Sequence, residues 1–348
     1  MPKFEKVYLT ALGYELGPVV VSSSELEERL GPVYERLNLQ AGQLEAWTGI
    51  NERRWWQPGF RLSAGAIAAG RKALRKASVD PSDLGVLIYA GVCRENFEPA
   101  TACAVADGLG VRGGAFVYDL SNACLGVLNG IIEVANRIEL GQIRAGLVVS
   151  CETAREINEI ALERLLRGGT MEQFSRAIAT FTGGSGAVAA LLTDGSFSGN
   201  PGHRLRGAVS ETAPEHHALC RWGLEPAVGG VQEQFMSTDS VAVLKNGVQL
   251  GARTFGMFRG HLGWETNGID RVICHQVGSG HQEAILRTLQ IPKDKDFTTY
   301  RFLGNMGTAA LPVTAAIAEE RGVLKAGQRT AFLGIGSGLT CLMLGLEW

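Results

Sequence analysis

The chain of 348 residues has no long apolar run, no paired cysteines and no excess of charge of either sign. Each absence closes a class of function. No stretch approaches the ~18 consecutive apolar residues that cross a bilayer, so stable membrane insertion is not expected. The opening MPKFEKVYLTALGYELGPVVV lacks the basic start, continuous apolar segment and cleavage site of a secretory signal. Lysine and arginine number 33 against 35 acidic residues, for a net charge of −2. No strong field then recruits nucleic acid or an anionic membrane. The seven cysteines are scattered, without C-x-x-C pairs or zinc spacing. A reduced, cytoplasmic protein without disulfides or metal is the expectation.

What is present is apolar sequence and glycine. Hydrophobic residues make up 45% of the chain and glycines number 46, the profile of a globular protein with a large core. Two segments run in parallel. DLGVLIYAGV (83–92), a helix-like stretch and AFVYDL precede Asn122; GIDRVICHQV (268–277), a helix-like stretch and the strand-like FTTYRFL precede Asn305. Each asparagine opens a small-residue elbow and a helix, ACLGVLNGIIEVANRIELG and MGTAALPVTAAIAEERG. Each helix leads to a further strand, AGLVVS and TAFLGIG. Strands alternating with helices predict βαβ units and mostly parallel sheets. Two similar α/β halves follow, 1–197 and 204–348, with the break in the polar TDGSFSGNPGHR. Open parallel sheets bind ligands beyond the carboxyl ends of their strands, so both elbows are expected near one seam.

That seam gathers candidate chemistry. Cys124 sits where a strand gives way to a helix, between the small residues Ala123 and Gly126. A thiol attacks as thiolate, and a helix N-terminus lowers its pKa; the competing reading is a packing cysteine. His275 ends the apolar strand RVICHQV, where a core histidine is the alternative. Asn305 either caps the following helix or helps hold a thioester oxygen. Together the three supply a nucleophile and two hydrogen-bonding groups. GIGSGL (334–339) precedes a strand-like TCLMLGLEW rather than a helix, so a tight turn presenting N–H groups fits better than a phosphate loop. FTGGSGAVAALL (181–192) reads as close packing at the seam.

TGINERRWW (48–56), SNACLG around Cys124, CHQV around His275, GNMGTAALP around Asn305 and the terminal GIGSGL occur in one order. With these motifs the chain resembles the thiolase superfamily, in its ketoacyl synthase III branch. The resemblance implies a duplicated five-layer αβαβα sandwich, a homodimer and a Cys-His-Asn site. Decarboxylating ketoacyl synthases of that branch typically show HQAN and an arginine soon after; here the run is HQVGSGHQ. RENFEPATA (94–102), SNACLGVLNG, CETA (151–154) and GIGSGLTCLM are closer to the acyl-CoA-condensing thiolases of bacterial long-chain olefin synthesis.

Glu98 lies in a loop after an apolar strand, before a proline at a helix start. It admits two readings: a carboxylate favoured by the helix dipole, or a base whose pKa is raised beside an acyl tunnel. The resemblance implies the second, with Glu98 contributed to the partner subunit's site. It also implies that Arg53, Arg54 and Trp55, in a loop-like run, meet the phosphates and adenine of coenzyme A. The N–H groups of Cys124 and Gly338 are expected to hold the oxyanion. The expected reaction is a non-decarboxylative head-to-head Claisen condensation of two fatty acyl-CoA molecules. It gives a 2-alkyl-3-ketoacyl product through an acyl-Cys124 intermediate. No cofactor is expected beyond acyl-CoA as substrate, with downstream pathway enzymes as further partners. Alternatives are a decarboxylating synthase using a malonyl thioester, another cysteine-dependent acyl transfer, and a non-catalytic subunit.

Overall fold

In the computed structural model of the chain, which describes residues 1–197, 201–226, 230 and 232–348, nine strands join in one mixed sheet. Its order is Arg271–Cys274, Arg329–Gly336, Thr340–Glu347, His203–Thr212, Tyr8–Leu16, Gly186–Thr193, Ala145–Glu152, Val86–Ala90 and Phe116–Leu120. Pairing is parallel near the two edges and antiparallel through the middle. The sheet is therefore less parallel than the alternation of strands and helices predicts. Only a tight turn separates Gly336 from Thr340, and a parallel return needs a crossover of a dozen or more residues.

Five layers follow from the faces of these strands. Val86, Ile88, Ala90, Val148, Val188 and Ala190 point into one core with Ile273, Phe332, Leu342 and Leu344 from the other end of the sheet. Between them lie the helices Gly126–Glu139 and Ala310–Glu320. The alternate residues Leu87, Tyr89, Leu147 and Val149 face outward onto Leu62–Ala77 and Thr101–Leu109. Val272, Ala331, Leu333 and Met343 likewise face Ser240–Leu262 and Ser279–Leu289. The period of two along each strand thus serves a helical layer on both faces. For both ends of the sheet to share the middle helices, the sheet must turn. It does so where Tyr8 and Leu9 pair with Arg204 and His203, the sole register pairs between those two strands. This is the αβαβα architecture expected of the sequence. Part of the expected break between the halves, 198–200, lies outside the described residues.

Two local expectations need correction. FTTYRFL is not a strand: a single bridge to Val272 is made by Asp296, just before it, and the run itself turns into the short helix Tyr300–Leu303. Buried Gln276 diverts it, its Oε1 accepting from the backbone N–H groups of Thr299 (2.9 Å) and Tyr300 (3.2 Å). The run around Arg53 is not a loop but the strand Glu52–Trp55, paired antiparallel with Val19–Ser22. FTGGSGAVAALL behaves as read: a Cβ on Gly184 would stand 2.0 Å from the Leu303 carbonyl oxygen, so only glycine allows that approach.

Candidate active site

Cys124 sits on a strained elbow. Ala123 adopts φ +45°, a left-handed conformation that costs a non-glycine residue of order 1–3 kcal/mol. The elbow is held by Leu125 N–H donating to the Asn122 carbonyl at 2.8 Å and by the Asn122 amide donating to Asn129 Oδ1 at 2.7 Å. The helix Gly126–Glu139 then begins. A Cβ on Gly336 would lie 3.3 Å from the Cys124 backbone nitrogen, so this glycine lets the GIGSGL turn close on the elbow.

His275 and Asn305 arrive from the other half. His275 directly follows the strand Arg271–Cys274, and its N–H donates to the Leu333 carbonyl at 3.0 Å. Asn305 is clamped by its backbone: its N–H donates to Thr182 O at 2.8 Å, and its carbonyl accepts from Gly184 N–H at 2.9 Å. Its side-chain Oδ1 accepts from Gly307 N–H at 3.1 Å. Thr308, three residues on, accepts from Val127 N–H at 2.7 Å through its hydroxyl, which ties this segment to the first turn of the Cys124 helix.

Cys124, His275 and Asn305 line one cavity of about 950 Å³, whose walls are largely apolar. Ile157, Ile178, Phe235, Leu244 and Val248 contribute to those walls. Burial of the groups in it sets their charge states. Burial pushes the Cys124 thiol up to about 12, with Cys220 and Glu152 adding to the rise. The helix start does not overcome this, contrary to the lowered pKa expected from the elbow; desolvation of the thiolate is the larger effect. Burial, with His281 nearby, lowers His275 to about 4, and burial lowers His281 equally. Both imidazoles are therefore neutral at pH 7. Nδ1 of His275 and Nε2 of His281 have no hydrogen-bond partner among the described residues.

Residues 260–348 match the family described as the 3-oxoacyl-[acyl-carrier-protein] synthase III C terminal. Over 348 residues the chain is 52% identical to an acyl-CoA:acyl-CoA alkyltransferase of Shewanella oneidensis, covering 99% of this chain and 100% of the relative. The alkyltransferase of the same description from Xanthomonas campestris is 35% identical over 346 residues, covering 99% of each chain. The chain belongs to this OleA-type family of the thiolase superfamily. A crystal structure of Xanthomonas campestris OleA, a cysteine-to-serine variant with bound lauric acid and lauroyl-CoA, superposes with a TM-score of 0.93 at 35% identity. The match covers 99% of this chain and 100% of that one.

Not every residue picked out by the family likeness reaches the cavity. Arg53 and Trp55 do not. Alternation along the strand Glu52–Trp55 turns both inward. Arg53 is fully buried, donating to the carbonyls of Val21 (3.3 Å) and Phe181 (3.0 Å) and to Ser23 Oγ (3.1 Å). Its burial lowers its pKa to about 10. Trp55 is equally buried, its indole N–H donating to Gly183 O at 3.2 Å. Neither can meet coenzyme A. Arg54, on the outer face of that strand, pairs with Glu52 at 3.5 Å and does not line the cavity. Gly338 is not on the cavity wall, although Ser337 and Leu339 on either side are.

Glu98 is solvent-exposed beside Phe97, which is 99% exposed. It does not cap the helix Thr101–Leu109. The carboxylate of Asp119 does so, accepting from Thr101 N–H (3.0 Å) and Ala102 N–H (2.9 Å). Glu98 thus makes no capping bond to that helix. Two groups in the cavity escaped the sequence reading, Glu152 and His281. Glu152 was visible as the acidic end of an apolar strand and within CETA (151–154), but with no role attached. His281 had the plainer signal, a second histidine six residues after the first.

Proposed function

We propose that the protein joins two fatty acyl-CoA molecules head to head, without decarboxylation. The convergence of Cys124, His275 and Asn305 on one large apolar cavity carries this reading. The Cys124 sulfur attacks the first thioester, and its proton passes to the departing sulfur of coenzyme A. N–H groups of Cys124 and of the GIGSGL turn near Gly338 hold the oxyanion. The second acyl-CoA then lies with its thioester oxygen toward His275 and Asn305. Neutral His275 and the Asn305 amide can donate hydrogen bonds to the enolate that forms there. Glu98 of a second subunit takes the α-proton, the enolate carbon attacks the acyl carbon, and Cys124 leaves as thiolate and regains the proton from Glu98. The product is a 2-alkyl-3-ketoacyl-CoA. A base is needed because no carboxyl group leaves to generate the carbanion.

The exposed position of Glu98 and Phe97 supports a homodimer in which this loop enters the neighbour's cavity. The halves 1–197 and 204–348 act as two thiolase-like units, one supplying Cys124 and the other His275 and Asn305. No helix among the described residues is long and apolar enough to cross a membrane.

Mixing the purified protein with lauroyl-CoA tests the reading. One acyl adduct per chain by intact mass, absent from Cys124→Ala, and a condensed product without malonyl thioester are the expected results. An adduct persisting in Cys124→Ala, or a strict malonyl requirement, overturns it.

A further inference from the structure

We propose that Glu152 is a positioning residue for the condensation step, fixing the loop that carries Glu98 to the neighbour's site against the segment that follows Asn305 in its own. Glu152 ends the strand Ala145–Glu152, is buried to 3% exposure and borders the same cavity as Cys124, His275 and Asn305. Its carboxylate is spent on backbone. Oε1 accepts from Val92 N–H at 2.9 Å and Oε2 from Cys93 N–H at 3.1 Å. The turn after Asn305 packs beside it, and the Thr308 backbone helps favour its charged form. Val92 and Cys93 begin the 91–100 loop that carries Glu98. Thr308 stands three residues beyond Asn305, and its hydroxyl holds the first turn of the Cys124 helix through Val127 N–H. Gly307 lies alongside the carboxylate, a Cβ there meeting Glu152 Cδ at the ordinary contact distance of 3.5 Å. One side chain therefore ties the loop that bears the base to the turn behind the oxygen-holding amide, while Thr308, not Glu152, holds the Cys124 helix.

A carboxylate suits this task because it only accepts, and every group facing it donates. Burial alone favours its neutral form, and the converging N–H groups oppose that. Glu152 needs no contact with substrate to do this work. Nor is it placed to replace Glu98, since its oxygens are already engaged by the main chain. The proposal rests on the condensing reading above, but it makes a separate demand. Acylation of Cys124 needs only the elbow and the oxyanion N–H groups, whereas condensation also needs Glu98 and Asn305 in place. Loosening Glu152 should spare the first step and impair the second.

Glu152→Gln keeps the size of the side chain but turns an N–H₂ toward one of the N–H donors. In the full-length protein with lauroyl-CoA, two quantities are followed: the rate of the Cys124 acyl adduct by rapid-quench intact mass, and condensed product per turnover. We expect acylation close to wild type, and kcat for condensation lower by about 10²-fold, the scale of a displacement of about 1 Å at reacting groups. KM should change little. Equal loss of both steps would mean that Glu152 merely supports the fold, and unchanged condensation would mean that it positions nothing; either result overturns the proposal. If Glu152→Gln does not fold by circular dichroism, Glu152→Asp takes its place. Aspartate keeps the charge and shortens the reach, and the same split between steps is expected. Failure of wild-type protein to condense lauroyl-CoA would overturn the condensing reading itself, and that result is visible before any variant is made.

Discussion

Arg53→Met separates a ligand-binding arginine from a structural one. The substitution keeps an unbranched apolar stem and removes the guanidinium. Three acceptors then lose their donor: the carbonyls of Val21 and Phe181, and Ser23 Oγ. A buried acceptor left unpaired costs about 1–3 kcal/mol. Against this, the variant no longer buries a cation, and the arginine Nε already lacks a partner. The offset is real, because the same burial lowers the Arg53 pKa. The net cost is about 2–4 kcal/mol. For a chain of this size that corresponds to a fall of roughly 3–6 °C in the thermal midpoint. The assay pairs differential scanning fluorimetry with steady-state kinetics on acyl-CoA at a temperature where both proteins are folded. Stability should fall while KM for acyl-CoA stays near wild type. Had Arg53 gripped a phosphate of coenzyme A, losing a charge-assisted hydrogen bond would raise KM by about tenfold or more. A raised KM with unchanged stability refutes the structural assignment. Arg53→Lys should fare little better than methionine, since a single ammonium cannot reproduce the planar fork that reaches three acceptors.

Replacing His275 or Asn305 with alanine should slow condensation by about 10²–10³-fold, the usual cost of a lost oxyanion donor. Acylation should be affected less, and equal losses in stopped-flow acylation would reassign both residues to the first step. Dimers of Cys124→Ala and of Glu98→Ala should each be nearly inactive, yet regain condensation when mixed under proven subunit exchange. Absence of any regained activity excludes a base acting between subunits. For pH, the folded-state pKa of His275 and His281 lies below the unfolded value, so the unfolded chain binds more protons between the two. Their contribution to stability is present above about 6.5 and lost as pH falls toward 4. Thermal midpoints should drop from pH 7 to pH 5, and the drop should shrink when both histidines become glutamine.

Much of the layered fold was open to reading from sequence because its signals are local. VLIYA and LVV in Ala145–Glu152 are apolar on consecutive residues, the mark of strands covered on both faces. The Cys124 elbow was readable because small residues surround one thiol between a strand and a helix. What escaped depended on partners distant in the chain. Glu52–Trp55 is four residues long and exists as a strand because Val19–Ser22 pairs with it. Its inward and outward alternation was in the sequence, but no local signal marked its partner. FTTYRFL has a strand's composition and was redirected by Gln276, which lies 23 positions before the Thr299 it holds and whose amide faces inward. Glu152 finds its donors on Val92 and Cys93, some sixty residues earlier, which no spacing rule connects to it. The charge state of Cys124 was misjudged for a related reason. The helix start is a property of neighbours along the chain, while desolvation comes from the whole cavity.

Coverage of the strands by helices on both faces also directs how the protein can diversify. A residue at the middle of Val86–Ala90 or Gly186–Thr193 contacts one helical layer or the other, so every substitution there is a packing event in a filled core. Change at those positions is penalised whichever way the side chain points. The cavity wall is built differently. Ile157, Ile178, Leu244 and Val248 come from helices, and Phe235 from the hairpin strand Gln232–Thr238, which lies outside the large sheet. Enlarging or trimming one of these reshapes an open space and leaves the strand register intact. Relatives that accept longer, shorter or branched chains should therefore differ in the helical and hairpin walls while sharing nearly unaltered strands. Lineages could then trade one acyl preference for another in single steps, each retaining a working fold.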